Sequence, residues 1–304
     1  MRIVIGGATG LIGTALAACL EQDGHQVTRL VPHPPAGPGQ VQWDPGRRPL
    51  DPAVLSGSDG VVNLSGAPIA GGWWTQSRKR ELRDSRVNAT TTLATAIAAA
   101  AAPPAVLLSG SAIGWYGDTG DREVDETAAA GSGFLPGLVS DWEAAAAPAR
   151  GAGSRVVTLR SGIVLAGQGG MLRALAPLFK LGLGGRLGGG GQYLSWIALA
   201  DHVRAARFLL DHGDISGPVN LTAPAPVTNA EFTAALGRAA HRPARLRVPA
   251  PLLRAGLGEL STELLKGARV RPAVLLRAGF TFRYPGIDAA LAAALDRDAA
   301  RRAG

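Results

Sequence analysis

Apolar positions in the chain fall into short runs separated by longer mixed segments. Ile3 to Ile5 is a β-branched run with the length of a strand buried on both faces. After a cluster of glycines, Thr14 to Glu21 is rich in alanine and leucine and predicts a helix. The same alternation recurs: Gln26–Val31, Val41–Trp43, Gly60–Leu64, Ala105–Leu108 and Arg155–Leu159 predict five more strands. Between them, Asp51 to Leu55 predicts a helical turn. Trp73-Trp74 opens a polar stretch through Arg78, Arg80, Glu81, Arg83 and Arg86 that reads as an exposed helix face. A second, alanine-rich helix is expected from Val87 to Ala102, where Pro103 and Pro104 stop it, and a long helix from Phe134 to Arg150. Strands alternating with helices predict an α/β fold with a parallel sheet.

The pattern changes at Gly167. Met171 to Lys180 predicts a helix, and Leu181 to Gly191 is dominated by glycine, which predicts either a mobile lid or a tightly turned loop. Tyr193–Ile197 and Pro218–Leu221 predict strands, and Asp201 is expected to cap a helix reaching His212. Thr228 and Glu231 have the spacing of a capping box for a helix to Ala240. Helical segments are expected at Pro249–Glu263, Arg271–Ala278 and Ile287–Ala300. This divides the chain into an α/β core, 1–166, and a second lobe, 167–304, interleaved with the last core elements and ending in a segment at about 249–295.

The glycines after the first strand supply the candidate chemistry. Gly7, Gly10 and Gly13 have the spacing GxxGxxG. Between a strand and a helix, such a turn lets the backbone approach a pyrophosphate that faces the helix N-terminus. At the end of the second strand, an acid favours NAD and a cation favours NADP. Here the chain reads Pro32-His33-Pro34, with no carboxylate, and Arg29 lies on a strand alternation that can turn it away. Asn63 to Ala67 follow the fourth strand and are expected to line the same crevice. Ser109, Ser111 and Tyr116 follow the fifth, where polar groups are placed for chemistry. Tyr116 would donate to a substrate carbonyl at the mouth of the crevice, or pack as a structural ring. Asp118, Asp121 and Glu123 read as solvated loop charges, and Lys180 and Arg186 as holders of an anionic substrate or as surface cations.

Composition narrows the classes. The 304 residues are 46% hydrophobic and 18% charged, as in a folded globular protein. The net charge of +8 comes from scattered arginines with no aromatic platform or basic run, which argues against nucleic-acid binding. His25, His33, His202, His212 and His241 lack ligand spacing, so no metal site is expected. Cys19 stands alone, as suits a reducing cytoplasm. The apolar stretch Leu93 to Trp115 is broken by its two prolines, so no membrane span is expected. The first strand starts at once, leaving no room for a signal peptide.

Several separated segments carry a resemblance. They read IGGATGLIG from Ile5, GVVNLSGAPIAGGWW from Gly60, SGSAIGWYG from Ser109 and DWEAAA from Asp141. LRSGIVLAGQGG from Leu159, FKLGLGGRLGGGGQYLSWI from Phe179 and GPVNLTAPAPVTNAEF from Gly217 complete the set. The chain resembles the extended, atypical branch of the short-chain dehydrogenase/reductases, in the nucleoside-diphosphate-sugar-epimerase-like group with a small C-terminal domain. That resemblance implies a Rossmann-type, doubly wound parallel sheet with a smaller, mostly helical C-terminal lobe. It implies binding of NADP(H) in preference to NAD(H). Gly7, Thr9, Gly10, Leu11, Ile12 and Gly13 would line the pyrophosphate, and Asn63, Leu64 and Ser65 would pass under the adenosine and ribose. Glu81 and Arg86 would face the cofactor, and Ile163 would flank the nicotinamide. The substrate would be a small molecule, anionic or nucleotide-linked; the oligomeric state stays open.

Three departures from the group stand out, one of them a pair of positions. Pro32 stands where an arginine is common, Ala198 where a histidine follows SWI, and Leu135 and Val139 where the acid/base tyrosine and its lysine fall. Ser111 matches the usual serine. Two readings follow: an oxidoreductase or epimerase using Ser111 and Tyr116, or an NADP(H)-binding sensor or scaffold without catalysis.

Overall fold

The structure is a computed structural model that describes residues 1–69 and 72–296. Seven parallel strands form its central sheet: β1 (Arg2–Gly6), β2 (Gln26–Val31), β3 (Gln40–Gln42), β4 (Gly60–Asn63), β5 (Val106–Ala112), β6 (Arg155–Ser161) and β7 (Gly217–Leu221). They lie in the order β7-β6-β5-β4-β1-β2-β3. The order reverses between β1 and β4, so the crevice for a ligand opens at the C-terminal ends of these two strands.

The helices α1 (Leu11–Gln22), α2 (Gln76–Ala99), α3 (Phe134–Ala144), α4 (Gly170–Lys180) and α5 (Leu199–Asp211) follow in order; α1, α2, α3 and α5 cover the two faces of the sheet, and α4 packs in a separate core. Alternation along β1 sends Ile3 and Ile5 to one face, where they pack with Leu16 and Leu20 of α1 and with Val203 and Leu209 of α5. Val4 points the other way, to Leu93 and Ile97 of α2. Rossmann-type double winding thus follows from strands that are apolar on both sides.

Four expected boundaries move. The polar stretch and the alanine-rich stretch are one continuous helix, α2, capped by Thr75. They read as two because the first half buries only Leu82 and Arg86, whereas the second buries six residues from Ala89 to Ile97. The expected helix from Phe134 to Arg150 breaks at Ala145-Ala146 and restarts as Ala147–Gly151, with Pro148 in its first turn. β5 runs on through Ser109 to Ala112, so both serines are strand residues rather than loop residues. Asp201 does not cap α5; Ala198 holds that position. Asp201 is fully buried and accepts hydrogen bonds from the backbone N–H of Arg283 (2.7 Å) and of Tyr284 (2.8 Å), pinning the C-terminal segment to the core.

Beyond Gly167 the glycine-rich stretch is a tightly turned loop. Gly182, Gly188 and Gly190 have positive φ, Gly185–Leu187 pairs in parallel with Leu246–Val248, and the Gly190 carbonyl accepts from Ala230 N at 2.9 Å. α6 (Asn229–Ala239) starts with the expected capping box of Thr228 and Glu231. It packs with α7 (Ile287–Leu295), Phe179 and the fully buried Trp196 in a third core. The remainder of the expected last helix, 297–300, lies outside the described residues. Ser195 bonds both Ala268 O (2.7 Å) and Val270 N (2.9 Å), and Glu126 accepts from Asn220 N and Val274 N, so buried polar contacts bolt the C-terminal segment to the sheet.

One buried group in α5 makes stability depend on pH. His202 is fully buried, with Nε2 2.9 Å from Ser161 Oγ and no partner for Nδ1 among the described residues. Burial pushes its pKa down to about 4. The unfolded chain takes up this proton at about pH 6.5, so stability is full above that and falls as pH drops toward 4, by up to about 3 kcal/mol. Urea unfolding at pH 7 and pH 4.5 should show this loss, and a smaller one for His202→Gln. Equal losses in both proteins would refute it.

Candidate functional site

The glycine turn lies at the C-terminal end of β1, against the end of β4. Gly7 has φ +76°, and a Cβ placed on it would lie 2.5 Å from the Leu64 carbonyl carbon. On Gly13 a Cβ would lie 2.2 Å from Gly7 O. Gly10 is different. It is exposed, and a Cβ there would meet only Gly7 O, at 3.3 Å. The outer two glycines are therefore demanded by the protein's own packing, while Gly10 is exposed at the N-cap of α1, where an added Cβ would make one close contact, with Gly7 O. The first turn of α1 carries no acidic residue, and its N–H groups have no partners within the helix. Free N–H groups at a helix N-terminus beside a glycine turn are the kind of geometry that can receive a pyrophosphate. Thr9 is exposed beside it, and Leu11 and Ile12 are half-buried. Leu11 packs against Gly169, where a Cβ would lie 2.7 Å from Leu11 Cδ1, so the loop before α4 borders the turn.

The turn after β4 is braced from below. Asn63 is fully buried; its Nδ2 donates to Thr90 Oγ1 (2.9 Å) and its Oδ1 accepts from Ser65 N (3.1 Å). Its side chain thus shapes the Leu64-Ser65 backbone from inside the core rather than lining the crevice. Arg86 is also buried. It donates to Ala67 O and Leu82 O, both at 2.9 Å, and lies over the Trp142 ring at 5.2 Å. Burial lowers its pKa to about 10, which leaves it charged at neutral pH. Glu81 is exposed and pairs with Arg78 at 2.7 Å, and Arg78 in turn holds Pro68 O. Both residues expected to face a cofactor are thus engaged with the protein around the turn. Arg29 is turned onto α1, where it pairs with Glu21 at 2.7 Å.

Ser111 and Tyr116 are joined in one network, and of its two readings Tyr116 follows the second, a packed structural ring. Tyr116 is not at a crevice mouth: it is 3% exposed, and its ring packs with Val124, Ala268 and Val270. Its hydroxyl donates to Asn220 Oδ1 (2.7 Å) and accepts from Arg160 Nη1 (3.1 Å), and burial raises its pKa. Neither its position nor its bonding leaves a proton for a substrate. Ser111 Oγ donates to Glu143 Oε1 at 2.6 Å. Arg160 forks onto the same carboxylate, Nε to Oε1 at 2.8 Å and Nη2 to Oε2 at 3.0 Å, and lies over the Trp115 ring at 4.0 Å. Glu143, Arg160 and Asn220 are the members that sequence reasoning missed. Glu143 and Arg160 stand inside quoted motifs, but only the packing of α3 on β6 brings them together. Ile163 begins the short strand Ile163–Leu165 just beyond β6, half-buried, with its N–H on Ser195 O at 2.9 Å. Lys180 and Arg186 are exposed on the second lobe. Among the described residues no group of three or more His, Cys, Asp or Glu is placed to hold a metal ion, and no helix is long and apolar enough to cross a membrane.

Residues 3–222 match the family model described as NAD dependent epimerase/dehydratase. The chain belongs to that epimerase/dehydratase family. Residues 248–294 match a domain of unknown function, DUF1731. An epimerase family protein of Mycobacterium tuberculosis, MT2273, is 49% identical over 296 residues, covering 97% of this chain and 98% of its own length. The solved structure of human epimerase family protein SDR39U1 with NADPH superposes with a TM-score of 0.88 at 33% identity, covering 98% of this chain and 100% of that one. A nucleoside-diphosphate sugar epimerase from Corynebacterium glutamicum gives 0.80 at 38% identity, covering 97% of this chain and 58% of that one.

Within this epimerase-family chain, positions 135 and 139 are apolar in space as well as in sequence. Val139 is buried and Leu135 half-buried, in a cluster with Trp74, Leu138 and Trp142. A Cβ on Gly114 would lie 3.4 Å from Leu135 Cβ. Neither side chain carries a proton to transfer.

Proposed function

We propose that this protein binds NADP(H) on the Gly7–Gly13 turn and acts as an oxidoreductase or epimerase on a small carbonyl or hydroxyl compound, anionic or nucleotide-linked. The observation that carries this reading is the turn itself: two glycines required by internal packing and a third exposed at a helix N-terminus. The NADPH in the human relative's structure supports the choice of cofactor. The name of the C. glutamicum relative supports a nucleotide-linked substrate. Lys180 and Arg186 are the cations proposed to meet its charge.

When bound, the nicotinamide supplies or takes the hydride. The chain's part is to place the substrate and manage its polar atoms. Because Ser111 gives its proton to Glu143, the free side of its oxygen is an acceptor. It is suited to a substrate hydroxyl, which the carboxylate behind it polarises. Arg160 holds Glu143 in place for this role. Ser111 is itself buried, 4% exposed, which keeps bulk water from it.

Thermal unfolding with NADPH, NADP⁺, NADH and NAD⁺ tests the first half; NADPH should raise the melting temperature by mass action. If none of the four does so, the reading is wrong. Ser111→Ala should bind NADPH as the parent does and turn over hydroxyl or carbonyl substrates from a metabolite panel about 100-fold more slowly. A buried Tyr116 and apolar positions 135 and 139 favour one alternative, a sensor or scaffold. Tight NADPH binding with no turnover across the panel would select it.

A further inference from the structure

We infer that Arg47 and Arg48, on the turn after β3, read the 2′-phosphate of NADP(H). The inference rests on the cofactor reading above. Dinucleotide folds separate a ribose 2′-phosphate from a 2′-hydroxyl at the C-terminal end of β2. In this chain that end offers little: proline stands at 32 and 34, the His33 ring is bonded to Pro34 O at 3.0 Å, and Arg29 is held by Glu21 on α1.

The adjacent strand makes up the deficit. β3 pairs with β2 in parallel, with Val31 opposite Gln42, and Trp43 N donates to Val31 O at 2.9 Å. The chain therefore leaves β3 at the same sheet edge, beside Pro32. The Trp43 ring reaches back under that edge to β1, its Cη2 3.3 Å from where a Cβ on Gly6 would be. A tight turn follows, in which Arg47 N and Arg48 N both donate to Asp44 O, at 3.1 and 3.0 Å. Gly46 has φ +85° and presses on α2, where a Cβ would lie 2.6 Å from Asn88 Nδ2. The turn is thus held between a buried tryptophan and α2.

Both guanidinium groups are exposed, and among the described residues neither has a hydrogen-bond or ion-pair partner through its side chain. The other cations near the crevice are engaged: Arg78 with Glu81 and Pro68 O, Arg86 with Ala67 O and Leu82 O. Asp44 places one carboxylate on the same turn, against two arginines. A phosphate monoester carries about −1.5 to −2 charge at neutral pH and matches the planar fork of arginine. Two unengaged forks outweigh one carboxylate for such a group, whereas Asp44 alone would favour the hydroxyl.

Isothermal titration of the full chain with NADPH, NADH, 2′-AMP and 5′-AMP tests this, on the parent, an Arg47→Gln/Arg48→Gln variant and an Arg47→Lys/Arg48→Lys variant. The parent should prefer NADPH to NADH and 2′-AMP to 5′-AMP. The glutamine variant should lose on the order of tenfold to a hundredfold in affinity for NADPH and 2′-AMP and nothing for NADH, with an unchanged melting temperature. The lysine variant should retain part of the preference. Undiminished NADPH preference in the glutamine variant would overturn the inference and leave the cofactor reading standing. A parent that prefers NADH would overturn it in favour of Asp44. A parent that binds neither dinucleotide would overturn the cofactor reading, and the inference with it.

Discussion

Gly7→Ala is expected to cost about 2–5 kcal/mol of stability and to abolish NADPH binding. The cost has two sources. Gly7 has φ +76°, where an L side chain is strained, and its new Cβ would lie 2.5 Å from the Leu64 carbonyl carbon and 2.7 Å from Ser65 N. These are backbone atoms of the β4 turn, and they have no rotamer by which to retreat. Gly10→Ala is the informative contrast. Its backbone, at φ −78° and ψ 171°, is open to any residue, and a Cβ there would meet only Gly7 O, at 3.3 Å. The loss of a glycine N-cap should cost no more than about 1 kcal/mol. NADPH affinity should nevertheless fall, because the methyl group would occupy the space left for the pyrophosphate. Denaturant unfolding and calorimetric titration of both variants separate the effects. A Gly7→Ala protein as stable as the parent would refute the packing argument. Parental affinity in Gly10→Ala would move the pyrophosphate away from the turn.

The elements that were legible in sequence are those whose cause is local. Ile3–Ile5 and Gln26–Val31 read as strands because a parallel strand covered on both faces needs only a short apolar run. Thr228 and Glu231 read as a cap because the reciprocal bonds span three residues. The misreadings have distant causes. An aspartate near the start of a helix has the signature of a cap, but besides Arg204 one turn on, Asp201 accepts from backbone N–H groups more than eighty residues further along the chain. Ser109, Gly110 and Ser111 are poor strand formers, yet β5 extends through them because β6 pairs with all three and β4 with Ser109. The glycine cradle was legible for the first reason. The Ser111–Glu143–Arg160–Tyr116–Asn220 network was not: its links span 32, 17, 44 and 104 residues, and no spacing rule connects them.

Arg160→Ala should be among the most damaging single changes outside the cradle, at about 3–5 kcal/mol. Arg160 is 3% exposed and Glu143 12%, so removing the guanidinium leaves a carboxylate in the interior with only Ser111 to satisfy it. The same change strips a cation from the Trp115 face and a donor from the Tyr116 hydroxyl. Glu143→Leu should cost a similar amount, because it strands the arginine. Arg160→Met combined with Glu143→Leu should recover much of either loss, since two well-packed apolar side chains avoid the desolvation that the ion pair must offset. Urea unfolding of Arg160→Met, Glu143→Leu, their combination and the parent gives the coupling energy directly. Near-additive losses would mean that the pair is two neighbours rather than one unit, and Ser111 would then lack the fixed carboxylate that makes its oxygen an acceptor. Strong coupling, together with unchanged NADPH affinity in the double variant, would place the network where the proposed chemistry needs it, behind the reacting end and apart from the phosphate cradle.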